Sequence, residues 1–495
     1  MGNHTVSTAE RPIVPDTPDN RRIFRRQLID ELDGWLWDIL DKARAGTVKI
    51  AHEGERAIFD KDDLTPAFAK GPLVLADLQE LDLPGDVMGE LVKPLIEVVS
   101  TQHALGRKGF RSLRDEMRAW QYAMQRTAMR HGCVAGAFGT VPWDAKFFKE
   151  NTLDAMIDAE RYRVYRGRMQ GWLLNLITGT EFGTSIGFPD IVGIGPLTAH
   201  QFSFDIPPHR LDDFYNAANI AAALLRAVFP NGDTPYGIEV LPQDMRLEAF
   251  LKATTVHGVE RTLVGPRWAK SPHDVFAMLV HHAGGHSIFL DADENNPGSA
   301  IKAFMSSLFP VARPRFGQRG DNVNIYLEIR PLSGGPTIDQ EIAATAFGVG
   351  LMYYLADHMD EWKRFGFHHI KSNFFSSGYG LDSELFWQNH GRDFYDSARN
   401  IAREMLPHVR KTLIKLCGVD DTEDVLEALA PVERVLITGM TPPKWGKLVR
   451  GDLRDHGCTP SQAMETYTRL YLEASQNGTS SAYPANWLNP VPAFV

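Results

Sequence analysis

Four short segments of the chain carry acidic or amide side chains at spacings that would aim them into one cavity: Glu53 and Glu55, Glu90 and Glu97, Gln201 and Ser203, and Glu328 with Arg330. Residues two apart on a strand project from the same face, so each pair with that spacing points one way. If those strands share a sheet, its face carries at least three carboxylates and one guanidinium. Burying such a set costs several kcal/mol per ion, as an order of magnitude, unless cations neutralise it. Magnesium, with manganese as the alternative, is the natural partner for carboxylates that handle a nucleotide, because it takes oxygen ligands and bridges phosphates. An E-x-E strand taken alone usually describes a solvated face. Glu97 and Glu328 resist that explanation, since PLIEVVS and IYLEIR set them among apolar neighbours, where an unpaired carboxylate is expensive. A buried Glu328–Arg330 ion pair is the structural alternative at the second position.

The elements that must position these groups show as periodicities. VKIAHEGERAIF reads as a strand with Glu53, Glu55 and Ala57 on one face. HQFSFDI, from His200 to Ile206, alternates as a second strand and leads into helical composition from Leu211 to Phe229. VNIYLEIRPL, from Val323 to Leu332, is rich in β-branched and aromatic residues, stops at Gly334-Gly335-Pro336, and precedes a long buried helix from Ile338 to His358. Arg21 to Ala45 and Phe110 to Arg130 have helical stripes, and VAGAFGTVPW reads as a strand running into a loop. From Asp382 to Gln476 the pattern is mostly helical, with breaks expected at Pro407, Gly418 and Thr441 to Pro443. Strands mixed with helices, without a regular strand-helix repeat, imply an α+β fold. The division expected is a flexible tail over 1–20, a catalytic domain over 21–381, and a helical region over 382–495 packed on that same domain.

Composition narrows the class. With 495 residues, 43% hydrophobic and 23% charged, the chain is globular, and a net charge of -10 offers no general attraction to nucleic acid or an anionic membrane. Cys133, Cys417 and Cys458 are too few and scattered for a disulfide framework or a thiolate cage, which fits a reducing cytoplasm. The first twenty residues lack the apolar stretch of a signal peptide, and no segment is long and apolar enough to span a bilayer. HHAGGH, with His281, His282 and His286, and the pair His368-His369 raise a metal-dependent hydrolase as a rival. The two glycines disrupt the helix on which such spacing works, so a polar loop is the better reading. GIGP at Gly193 to Pro196 lacks the lysine and hydroxyl of a phosphate loop and reads as a turn.

Taken in order, these segments resemble the motifs of the glutamate-cysteine ligase superfamily, especially its plant and proteobacterial branch and the related bacterial carboxylate-amine ligases. AHEGERAIFD resembles the opening strand, with an acidic triplet reduced to Glu53 and Glu55 around Gly54; ELVKPLIEVVS resembles the next acidic element. ERYRVYRGRM, AHQFSFDIP, YLEIRPLSGGP and SGYGLDSEL resemble later segments, so that the likeness runs from about Val48 to about Gly446. It implies a glutamine-synthetase-like curved, mainly antiparallel sheet forming a funnel flanked by helices. It also implies ATP-dependent amide bond formation between an acidic amino acid, glutamate, and cysteine or another small amine, through an acyl phosphate. Together with the strand geometry it implies Glu53, Glu55, Glu90, Glu97 and Glu328 as metal ligands, with Glu328 and Arg330 catalytic. Arg330 would meet the transferring phosphoryl group, Gln201 and Ser203 would orient nucleotide or metal, and Arg161 and Arg163 would anchor anionic substrate or the phosphates of the nucleotide. The chain departs from the pattern between Phe229 and Ser271, where NGDTPYG and VGPRW replace an Asn-Ser-Pro segment and a Tyr-Arg loop. A ligase-fold protein that binds nucleotide or amino acid without turnover is the non-catalytic alternative.

Overall fold

The computed structural model describes residues 14–149, 152–169, 171–178, 183–255, 259–261, 264–293, 295–319, 322–389 and 392–477. In chain order the strands are β1 Lys49–Asp60, β2 Asp86–Gly89, β3 Leu95–Val99, β4 His103–Ala104, β5 Cys133–Gly136, β6 Trp172–Leu176 and β7 Thr184–Phe188, then β8 Ala199–Ile206, β9 Ala312–Arg319, β10 Asn322–Ser333, β11 Glu384–Asn389 and β12 Arg392–Ser397. Eight of them form one curved sheet in the order β2-β3-β1-β8-β10-β9, with β4 and β5 also pairing β1. Every pairing is antiparallel. Helices flank this sheet, so the architecture is the α+β funnel implied by the sequence. Among the described residues no helix is long and apolar enough to cross a membrane.

The sheet has two chemically different faces because its strands alternate. Along β1, Ile50, His52, Gly54 and Arg56 are buried, whereas Glu53 and Glu55 are only half-buried on the opposite side. On β8 and β10 the buried side is built from Phe202, Phe204, Ile325, Leu327 and Ile329. It packs on the helices Leu211–Val228 and Ile338–Asp357, where Phe204 meets Phe214 and Tyr353. Each such side chain contributes about 1.5–3 kcal/mol by leaving water. The layer of helices therefore covers one face and leaves the carboxylate face open.

Two polar groups interrupt the apolar layer and fasten it. Arg56 Nη2 donates to Glu341 Oε2 at 2.6 Å, and His52 Nε2 stands 3.1 Å from the same oxygen. The Gly335 N–H donates to Glu341 Oε1 at 3.0 Å, tying in the turn that follows β10. Gly54 is required here: a Cβ would lie 2.7 Å from His52 Cε1 and 3.1 Å from Arg56 Nη1. Burial would raise the Glu341 carboxyl, but Arg56 and His52 hold it far below the usual carboxylate range.

Several sequence expectations are corrected. The stripe from Arg21 to Ala45 is two helices, Pro18–Asp33 and Trp35–Lys42, because the chain bends at Gly34. Glu384–Asn389 and Arg392–Ser397 are not helical; they are the paired strands β11 and β12, whose six-residue lengths give too short an alternation to stand out. Pro407 does not break its helix, which runs from Ala398 to Cys417. Its stripe of Ile401, Met405, Val409 and Leu413 is fully buried, and that packing outweighs the loss of one backbone N–H. Residues 1–13 of the expected tail lie outside the described residues, and the first helix starts at Pro18.

Replacing Glu341 with alanine would leave Arg56 and His52 buried without their anion, at a cost of about 3–5 kcal/mol in urea unfolding at pH 7. Because the folded-state pKa is depressed, this contribution is present above about pH 4.3 and disappears as pH falls, so variant and parent should converge in acid. Equal stability at pH 7 would show that the contact is dispensable.

Candidate active site

Register builds the open face row by row. Glu55 on β1 lies opposite Glu97 on β3, and Glu53 lies opposite Gln201 on β8. Ser203 stands between Ala51 and Glu328, and Glu328 lies opposite Arg313 on β9. Reading across the sheet, carboxylates gather at the β3–β1 side and guanidinium groups at the β10–β9 side. The amide and hydroxyl of β8 separate them.

At the acidic end, Glu55, Glu90 and Glu97 each offer an oxygen within 4.8 Å of the others. Glu90 sits just after β2, where Arg161 Nη2 donates to its Oε1 at 3.3 Å and the Tyr162 hydroxyl donates to its Oε2 at 2.7 Å. Both partners come from the first turn of the helix Glu160–Arg168. The Ala199 N–H donates to Glu55 Oε2 at 2.7 Å. Burial first, and then the neighbouring Glu90, push the Glu55 carboxyl up to about 7. Glu97, only 7% exposed, is driven well above the usual range by burial and by Glu90, Glu53 and Glu55. Glu53 rises to about 7 through burial and the charge of Glu328.

The trio is therefore short of positive charge where its donors converge. Its all-oxygen chemistry suits a hard divalent cation such as magnesium. Gln201 Oε1 is buried without a hydrogen-bond partner, directly opposite Glu53. Such an orphan acceptor invites a donor or cation.

At the basic end, Glu328 is 3% exposed and both of its oxygens are occupied. Arg313 Nη2 donates to Oε1 at 2.6 Å, Arg315 Nε donates to Oε2 at 2.8 Å, and Arg330 Nη1 also donates to Oε1. Burial alone would raise this carboxyl, but the three arginines override it and hold it well below its usual range. Burial, with repulsion from Arg315 and Arg330, pulls Arg313 down to about 9. Arg246, at the start of the helix Arg246–Thr254, donates from Nη1 to the Arg330 carbonyl at 3.3 Å and bears electrostatically on Glu55.

The structure thus brings Glu55, Glu90 and Glu97 together, with Arg161 touching Glu90 and with Glu53, Gln201 and Ser203 on the same face. Glu328 is not drawn to the trio; it serves as the shared anion of three guanidinium groups. Removing Glu328 would therefore strand three cations. Arg163 is turned outward to Asp158, with Nε at 2.7 Å from Oδ1. Sequence reading missed Arg313 and Arg315, although R-x-R in VARPRFGQR obeys the same spacing of two that singled out Glu53 and Glu55. Arg246 and Tyr162 had no comparable signal. Among the described residues, the histidines of HHAGGH and His368-His369 join no group of three metal-binding side chains, whereas the glutamates do.

No protein-family model matches the chain, and no curated protein matches it. Among solved structures, glutamate–cysteine ligase from Francisella tularensis in complex with AMP aligns with a TM-score of 0.50 at 11% identity, covering 91% of this chain and 93% of that one. A bifunctional glutathione synthetase from Pasteurella multocida gives 0.46 at 10% identity, over 92% of this chain and 53% of its own. The complex between prokaryotic ubiquitin-like protein Pup and its ligase PafA gives 0.43 at 9%, over 92% and 78%. At these identities the likeness is one of fold.

With chelator present, the protein should lose thermal stability as pH rises from about 4.3 to about 7. Across that window the folded state keeps a proton on Glu55 that the unfolded chain has released, so deprotonation favours unfolding. Glu97→Gln removes a carboxyl whose ionisation the folded state opposes, and it should raise the chelated melting temperature at pH 7.5 while abolishing the manganese-induced rise expected of the parent. An undiminished manganese effect in the variant would rule out the trio as an ion site.

Proposed function

We propose that the chain is an ATP-dependent carboxylate-amine ligase that joins an acidic amino acid, glutamate, to cysteine or another small amine. The observation carrying this reading is the juxtaposition on one open sheet face of the Glu55, Glu90 and Glu97 carboxylates with the guanidinium groups of Arg313, Arg315 and Arg330. A carboxylate does not react with an amine unaided. Transfer of the γ-phosphoryl group makes an acyl phosphate, with ADP leaving; the amine nitrogen then forms its bond to the carbonyl carbon and phosphate departs. Two anions must be held together in the first step, so positioning and charge compensation are the protein's main tasks.

The residues divide that work. Glu55, Glu90 and Glu97, with Glu53 and Gln201 beside them, would hold magnesium, which would supply charge neutralisation for the phosphates. Arg330, half-buried and within electrostatic reach of Glu53, would meet the transferring phosphoryl group. Glu328 orients Arg330 together with Arg313 and Arg315, and Ser203 lies beside it in the register. Arg161 borders the acidic end, where it offsets Glu90 and can contact an anionic donor. The fold likeness to a solved glutamate–cysteine ligase is consistent with this chemistry, and the AMP named with that structure supports a nucleotide as one ligand.

The test is a screen of glutamate and aspartate against amino acids and amines with ATP and magnesium, read as ADP release and product mass. ADP should appear only when donor and amine are both present. Arg330→Ala should lower kcat about 10²–10³-fold, the range for loss of one preorganised transition-state donor. Unchanged turnover in that variant, or ADP release with neither substrate added, would exclude the assignment.

A further inference from the structure

The helix Glu160–Arg168 has its first turn at the carboxylate trio and its last residue in a different cavity. That cavity, of about 480 Å³, lies between the helix Pro18–Asp33 and the segment Gly285–Leu290. Six arginines line it, Arg21, Arg22, Arg25, Arg26, Arg168 and Arg261, against only Asp16 and Asp30. An excess of four positive charges in one concavity is unexpected in a chain of net charge -10. On the helix, Arg21 is paired with Asp16, Arg22 with Asp19 at 3.1 Å and Arg26 with Asp30 at 4.0 Å, whereas Arg25 joins no ion pair among the described residues.

Two deeper arginines show that this is more than a charged helix surface. Arg261 is 1% exposed; its Nη1 donates to the backbone carbonyls of His286 and Ser307, both at 3.2 Å, while Nε is buried with no partner. No described carboxylate lies within ion-pair distance of it, and burial pulls its pKa down to about 10. Arg168 is held by the carbonyls of Val14 and Ile288, with Asp16 as its nearest anion at 3.9 Å. The wall between them comes from HHAGGH. Gly285, at φ +69°, lets Arg25 cross the backbone where a Cβ would come within 3.2 Å of its side chain. The segment that suggested zinc thus shapes a cationic wall.

We propose that this cavity is a second anion site that takes a di- or triphosphate group, with Arg261 as the buried anchor and Arg25 and Arg168 as partners. Guanidinium groups match phosphate oxygens in pairs, and a multiply charged phosphate uses the cationic excess better than a single carboxylate. The free inorganic ion and the tail of a nucleotide present the same chemistry. This proposal does not rest on the ligase reading.

The experiment titrates pyrophosphate by calorimetry into the full chain with chelator present and ionic strength fixed, for the parent and for Arg22→Gln/Arg25→Gln. Both residues are exposed on the helix, so the substitutions remove no packing. The parent should bind one equivalent and the double variant at least about tenfold more weakly, the loss expected from charge-assisted contacts. Arg261→Lys, checked for folding by circular dichroism, should also bind more weakly. Displacement of pyrophosphate by ADP would support the site with a nucleotide as its source, whereas persistence against ADP would support it with inorganic polyphosphate. The proposal is overturned by absence of binding, by equal affinity in the double variant, or by citrate binding as tightly as pyrophosphate. Donor- and amine-dependent ADP release by the double variant, measured separately, keeps failure of this site distinct from failure of the ligase assignment.

Discussion

Strand β1 carries ionisable groups on both faces, and the rest of the molecule is arranged so that the two sets never compete. Arg56 and His52 close on Glu341 beneath the sheet, while Glu53 and Glu55 stand open above it. Were Arg56 to turn over, it would neutralise the acidic face from within. The alternation of a strand forbids this, and the Glu341 contact makes the forbidden state costly as well. Gly54, between the two glutamates, is small because its own side faces the His52 ring and the Arg56 guanidinium.

The open face then separates charge along the sheet rather than through it. Carboxylates from β1, β3 and the end of β2 repel one another at one side, and three arginines share Glu328 at the other. Neither side is electrically comfortable. At the acidic end burial and mutual repulsion raise the Glu55 and Glu97 carboxyls in spite of Arg161 on Glu90, and the basic end has one anion for three guanidinium groups. A divalent ion and a phosphate chain would relieve both ends together, which gives the proposed ligase chemistry an energetic rationale independent of fold likeness. The same reasoning sets the Arg261 cavity apart: its excess is of one sign only, so it calls for an anion and no metal.

Much of the site's framework could be read from residue spacing. The pairs at Glu53 and Glu55, and at Gln201 and Ser203, needed only the two-residue repeat of a strand, and β1, β8 and β10 were visible as alternating runs. Arg313 and Arg315 obeyed the same rule in a segment whose proline and glycine made it look like a loop. Glu328 was correctly seen as expensive to bury, but the guanidinium that satisfies it had been counted as Arg330 alone. The β11–β12 pair escaped notice because its alternation is short, and the continuous helix through Pro407 because burial of its apolar stripe overruled local propensity.

By itself the sequence determined the α+β class, the buried and open faces of the principal strands, and which side chains could share a face, since these follow from local periodicity. Only the tertiary structure decided which carboxylates meet. Glu90 reaches Glu55 and Glu97 because β2, β3 and β1 are neighbours, and Glu328 is taken by arginines because β9 lies alongside β10. Strand order and long-range register bring together residues far apart in the chain, and no local spacing encodes that choice. For the same reason HHAGGH, a metal motif in one dimension, became the wall of a cationic cavity once the helix Pro18–Asp33 was packed against it.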